Sequence, residues 1–152
     1  MYVTYGSTAL DESQDVFVAA YDPDLHPLLG VGLLKRVNPD DRAAVRDQFL
    51  PAAAVDPSNG RLWVCYYASG LEPRRRQAWY TCTASDDGGK RWVVPLRLAG
   101  APSDETIRQA NRANGFGDYE GVAAGRGVAH VAWTDGRLLH ARQEEIFATR
   151  LR

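Results

Sequence analysis

Ser85-Asp86-Asp87-Gly88-Gly89-Lys90-Arg91-Trp92 is a tight turn set between two strand-like runs, residues 77–84 and 92–98. Its Asp-Gly and Gly-Gly steps are strong hairpin signals. A carboxylate at Asp87 can accept several backbone N–H groups across such a turn, and Gly89 enters the left-handed region at little cost. Trp92 offers a large apolar side chain to fold beneath it. The expectation is a hairpin tied from inside by Asp87 and anchored by a largely buried Trp92. A plain Asp-Asp-Gly-Gly turn would need neither Ser85 nor Trp92.

Written as Ser-x-Asp-x-Gly-x-x-Trp, residues Ser85, Asp87, Gly89 and Trp92 fill every fixed position of a known motif. The turn resembles the Asp-box of the BNR, or sialidase-like, β-propellers. Working outward, 49–55 is a small-residue strand, Asp56-Pro-Ser-Asn-Gly60 a strong turn, and 62–67 a second strand. A polar connection over 70–76 leads to the third strand at 77–84, and the Asp-box closes onto a fourth at 92–98. Four strands in meander order make one propeller blade, with the Ala-rich strand innermost.

Upstream, 2–5 and 15–21 read as a hairpin, 28–37 as the next strand, and 42–46 as at most one helical turn. Tyr21-Asp-Pro-Asp24 stands where a second Asp-box would lie but lacks its Gly and Trp. Downstream, a polar segment runs from 100 to 115, with 101–105 patterned as a helix start. The blade pattern then returns. Residues 117–124 answer 48–54, and 128–134 answer 62–68; pairing Phe49 with Tyr119 gives an offset of 70, and pairing Trp63 with His130 an offset of 67. The difference is a turn shortened by three residues, which marks an internal repeat. A further strand at 144–150 ends the pattern.

The fold class expected is therefore all-β: antiparallel, four-stranded blades of a sialidase-like propeller, incomplete at about two and a half blades because such rings need roughly four to eight. One partial domain spans 1–152, with blade strands at 1–40, a complete blade at 47–98, a linker or insertion at 99–116 and a partial blade at 117–152. A self-contained curved sheet or sandwich of similar strand content is the alternative. An incomplete ring implies partners in the form of further blades of a longer chain, or self-association through exposed edge strands.

Composition fits a soluble domain: 152 residues, 45% hydrophobic and 24% charged. A net charge of −1 gives no argument for a nucleic-acid or anionic-membrane partner. Nothing after Met1 reads as a signal peptide. Three histidines and two cysteines show no metal-ligand spacing, so neither a metal nor another cofactor is expected. If Tyr67 faces Tyr80, Cys65 stands directly opposite Cys82, with Cβ atoms about 4.5–5.5 Å apart. That register favours two buried thiols, a disulfide requiring closure to about 3.5–4.5 Å.

The resemblance extends over about 47–152: Asp47-Gln-Phe-Leu-Pro-Ala, the Asp56 turn, the Asp-box, Gly117-Asp-Tyr-Glu-Gly and Trp133-Thr-Asp-Gly-Arg137 look like a run in bacterial exo-α-sialidase or BNR-repeat glycoside hydrolases. It implies a propeller that acts on or binds glycans, commonly secreted or at the cell surface. In such a blade the Asp-box lies on one face and the chemistry on the other. That other face would receive Asp47 and Gln48, the arginines 74–76, then Asp118, Tyr119 and Glu120, and finally Asp135 and Arg137.

The family chemistry assigns catalysis to Asp118, Tyr119, Glu120 and Arg137, and substrate contact to Asp47, Arg76 and Asp135. Asp118 would be the acid/base, Tyr119 assisted by Glu120 the nucleophile, and Arg137 a carboxylate clamp. Each also has a structural reading: Asp118 tying down the incoming turn, Tyr119 packing between blades, Arg137 bridging Asp135. No Arg-Ile-Pro motif or arginine triad is present. Two functions stay open: an exo-glycosidase for terminal sialic acid or a related sugar, and a non-catalytic propeller that binds glycan or protein.

Overall fold

The computed structural model describes residues 1–8, 13–28, 35–39, 46–70, 76–104, 119–137 and 145–152. These residues contain strands and turns and no helix. They form three antiparallel sheets, none closed into a barrel. The first orders β1 (Tyr2–Thr8), β2 (Gln14–Ala20) and β3 (Lys35–Arg36). The second orders β4 (Gln48–Val55), β5 (Leu62–Ser69), β6 (Gln77–Ser85) and β7 (Leu96–Arg97), with β8 (Ser103–Asp104) also on β6. The third orders β9 (Gly121–Gly125), β10 (Val128–Asp135) and β11 (Glu145–Leu151).

The second sheet lies between the other two, and β5 shows why. Its side chains alternate between two cores. Leu62, Val64 and Tyr66 pack with Val16, Val18 and Val37 of the first sheet's side. Trp63, Cys65 and Tyr67, joined by Tyr80 and Cys82, pack with Ala129, Val131 and Trp133 of the third. Nearly all of β5 is therefore buried. Aromatic stacking runs through the larger core: Phe49 on Tyr67 at 5.5 Å, Tyr67 edge-on to Tyr80 at 4.7 Å, and Tyr80 on Trp133 at 5.5 Å between ring centres. The Tyr67 hydroxyl donates to the Thr134 carbonyl at 2.8 Å, joining second sheet to third. Strands β1, β4 and β9, each at one edge of its own sheet, are neighbours across the sheets.

Turn chemistry places the strand ends. Arg126 (φ 55°) and Gly127 (φ 78°) make the two-residue β9–β10 turn with the left-handed pair such hairpins need. In β4 the ladder shifts between Phe49 and Ala52, where Leu50 has φ 49° and Pro51 has no N–H to donate.

Several sequence expectations change. The strand expected over 92–98 shrinks to Leu96–Arg97: Val93 still bonds to Ala84, but Pro95 cannot donate and interrupts the ladder. The helix start expected at 101–105 is instead β8, since Ser103 and Asp104 pair with Ala78 and Gln77. Of the strand expected over 28–37, two residues are seen in β3, and 29–34 fall outside the described residues. Residues 42–45 of the expected helical turn and 105–115 of the polar segment at 100–115 also lie outside them. Finally, Cys65 and Cys82 pair as expected but are joined in a disulfide, with Cα atoms 4.0 Å apart. The backbones at this pair approach closely enough for the bond that the thiol reading passed over.

Candidate functional site

The register sorts the loops between two ends. Leu62 pairs with both Val55 and Ser85, and Gly125 with Val128, so the Asp56 turn, the Asp-box and the Arg126–Gly127 turn share one end. Gln48 pairs with Ala68, Ser69 with Ala78, and Gly121 with Ala132, so Asp47, Arg76, Tyr119, Glu120, Asp135 and Arg137 gather at the opposite end. Asp118 and the arginines at 74 and 75 lie outside the described residues.

At the first end the carboxylates serve the backbone. Asp87 Oδ1 accepts the Lys90 N–H at 3.0 Å and the Arg91 N–H at 2.8 Å, while the Ser85 hydroxyl donates to it at 2.9 Å and accepts the Gly89 N–H at 2.8 Å. Gly88 and Gly89 both have positive φ, at 76° and 91°. Trp92 is half-buried against the Val16 core, less covered than expected, because the chain leaves the ladder after Val93. Asp56 accepts from Ser58 through Oδ1 and, through Oδ2, the Gly127 N–H of the next sheet at 2.6 Å. Asp22 repeats the device, its Oδ1 accepting the Asp24 N–H at 2.9 Å and the His26 N–H at 2.8 Å. Ligand atoms of Asp22, Asp24 and His26 lie within 4.8 Å of one another, but the Asp22 oxygens are already taken by this turn and by the His26 ring.

Two of these groups, and Asp135 at the opposite end, titrate low. The hydroxyl of Ser58 holds the Asp56 carboxyl below its ordinary value, and the Arg91 N–H does the same for Asp87. Burial pushes Asp135 up, but bonds from Arg137 and Trp133 outweigh it and leave that carboxyl lowered as well. A carboxyl lowered by folding contributes stability above its unfolded value, near 3.8 here, and loses it as pH falls through the folded value. The thermal midpoint should therefore drop on acidification below about pH 4. Asp56→Asn and Asp87→Asn should flatten that drop; an unchanged acid slope in both would count against these contacts.

The opposite end is more varied. The Asp135 carboxylate, 1% exposed, accepts the Trp133 indole N–H at 2.9 Å, the Arg137 N–H at 2.8 Å, the Ser103 hydroxyl at 3.3 Å and the Arg137 guanidinium. That guanidinium sits over the Phe147 ring at 4.2 Å. Asp47 does not join this group. Its Oδ1 accepts the Gln14 N–H of the first sheet at 3.1 Å, and its own N–H donates to the Ser69 hydroxyl at 2.8 Å. Arg76 is exposed, and Tyr119 is 74% exposed. Glu120 acts on a tyrosine the sequence reading did not pair with it: burial first, then the Glu120 charge, raises the Tyr80 hydroxyl well above its ordinary value.

No protein family, curated protein or solved structure matches the chain.

One polar cluster had no sequence signal beyond an Asp inside an apolar run. Asn38 donates from Nδ2 to Asp15 at 2.8 Å and to Gln48 at 3.1 Å, and its Oδ1 accepts the Val16 N–H at 3.0 Å. Arg36 pairs with Asp15 at 2.9 Å. Asp15, Asn38 and Gln48 are all nearly inaccessible, so this cluster fastens the first sheet to the second.

Proposed function

We propose that the chain is a three-sheet portion of an Asp-box β-propeller that binds glycan at its polar end without cleaving it. The adjacency of β1, β4 and β9 supports the propeller reading, since radial sheets bring their inner strands together at the axis. The alternating packing of β5 supports it too, because each blade in a ring must cover a neighbour on both sides. The observation that carries the binding reading is the pairing of Asp135 with Arg137. An arginine locked to a buried carboxylate and to Phe147 is committed to the fold.

Among the described residues, Tyr119 is an exposed aromatic at that end, and a flat ring with one polar edge suits the apolar face of a sugar. Hydrolysis of a sialoside through a tyrosine needs an activated phenol. Tyr80, on which the Glu120 charge acts, is not such a phenol: its hydroxyl is raised and burial closes off its ring.

The test presents fluorescent sialosides and neutral glycosides to the protein, following binding by anisotropy and turnover by aglycone release. Binding without turnover is expected, and Tyr119→Ala should weaken it roughly two- to tenfold, the range for one aromatic contact. Turnover by the wild type, lost in Asp118→Ala and Arg137→Ala, would establish the exo-glycosidase instead. Failure to bind any glycan would remove the sugar reading.

A further inference from the structure

The two outermost sheet faces are the two halves of a contact that the molecule already makes twice. The first sheet turns Val16 and Val18 toward Leu62, Val64 and Tyr66. The second turns Trp63, Cys65 and Tyr67 toward Ala129, Val131 and Trp133. Under the repeat offset of 67, Leu62, Val64 and Tyr66 correspond to Ala129, Val131 and Trp133, so each sheet receives its predecessor on one kind of face. It presents the other kind onward.

Among the described residues two faces are left over, one of each kind. On the first sheet, strand alternation sends Val3, Tyr5 and Phe17 away from the second sheet, with Arg36 beside Phe17 on the same face and paired to Asp15. Val3 is 42% exposed, and the rings of Tyr5 and Phe17 stack 5.9 Å apart. On the third sheet, Ala123, His130, Ala132 and Ala148 point away from the Trp133 core, with the exposed Arg150 opposite His130 at the rim of the same face. With Gly121 they floor an apolar groove of about 500 Å³, with Ile146 on the same face 59% exposed.

We infer that the first sheet of one copy of this chain docks on the third sheet of another, the Tyr5–Phe17 pair seating on the small-residue floor. A large aromatic pair against Gly and Ala is the kind of shape match that lets two sheets approach closely. The partner is a second copy because the onward face of the third sheet fits a face of the first sheet's kind, and this chain carries one. Such a contact is heterologous: one surface meets a different surface, head to tail. It follows from the order in which the sheets stack and does not depend on sugar binding, so its failure would leave that reading intact.

The experiment measures mass by sedimentation and light scattering over a wide concentration range, for the wild type and for Val3→Arg and Ala148→Arg. The wild type should exceed the single-chain mass. Each variant should associate roughly tenfold or more weakly, as an unpaired charge in an apolar contact requires. An equal mixture of the two should regain association, because each retains the face the other has lost. Circular dichroism checks that both variants fold, with Val3→Glu and Ala123→Glu as substitutes. Three results would overturn the inference: a wild type that stays at single-chain mass, variants that associate as well as the wild type, as pairing through the β11 edge would give, or a mixture that regains nothing.

Discussion

Trp133→Ala should lower unfolding stability by about 3–5 kcal/mol, the range for deleting a large buried aromatic. The side chain is 3% exposed and stacks on Tyr80 at 5.5 Å and on Phe147 at 6.2 Å. Alanine leaves a cavity between the second and third sheets that the flanking rings can only partly fill. It also removes the indole N–H from Asp135, leaving that buried carboxylate dependent on Ser103 and Arg137. Trp133→Phe separates the two effects: it keeps most of the ring contact, so its cost should approach the roughly 1–3 kcal/mol of a lost buried hydrogen bond. Urea unfolding with an unchanged slope measures both. A midpoint near wild type for Trp133→Ala would mean that the third sheet is not fastened through this ring.

The double change Cys65→Ala, Cys82→Ala is expected to cost about 3 kcal/mol, as a loop of this size gives in the chain-entropy account. The two cysteines are 17 residues apart, and their side chains are buried in the Trp63–Trp133 core. Reductant should therefore act slowly on the folded chain and quickly once it is unfolded. Mass spectrometry after alkylation, with and without denaturant, distinguishes these cases. Rapid alkylation of both cysteines in the native, unreduced protein would show that the bond is absent.

What the sequence made legible was mostly local chemistry. Asp87 and Gly89 lie within one turn, so the backbone N–H bonds of the one and the positive φ of the other could be read from spacing. The Cys65–Cys82 register followed from one assumed pair, Tyr67 with Tyr80, because strand pairing propagates along a hairpin. The repeat offset at Trp63 and His130 also agrees with the observed faces. What escaped the sequence was settled by partners far along the chain. Ser103 looked like a helix start but bonds to Asp135 and Gly136 across 32 and 33 residues. Asn38 looked like loop and is buried between Asp15 and Gln48. Whether Arg137 faces a ligand or Asp135 depends on Phe147 and Trp133 beneath it, which its flanking residues alone do not reveal.

Strand β5 is buried on both sides. A strand with one wet face resists slipping, since a shift of one residue would turn its apolar set toward water. Along 62–67 both faces are apolar, and that safeguard is missing. Selection of the correct alignment falls instead to bulk and to sulfur. A slipped β5 would press Trp63 and Tyr67 into the space filled by Leu62, Val64 and Tyr66, and would carry Cys65 away from Cys82. The disulfide thus acts as a ratchet pin, a bond that only the native alignment, with Cys65 opposite Cys82, allows to close.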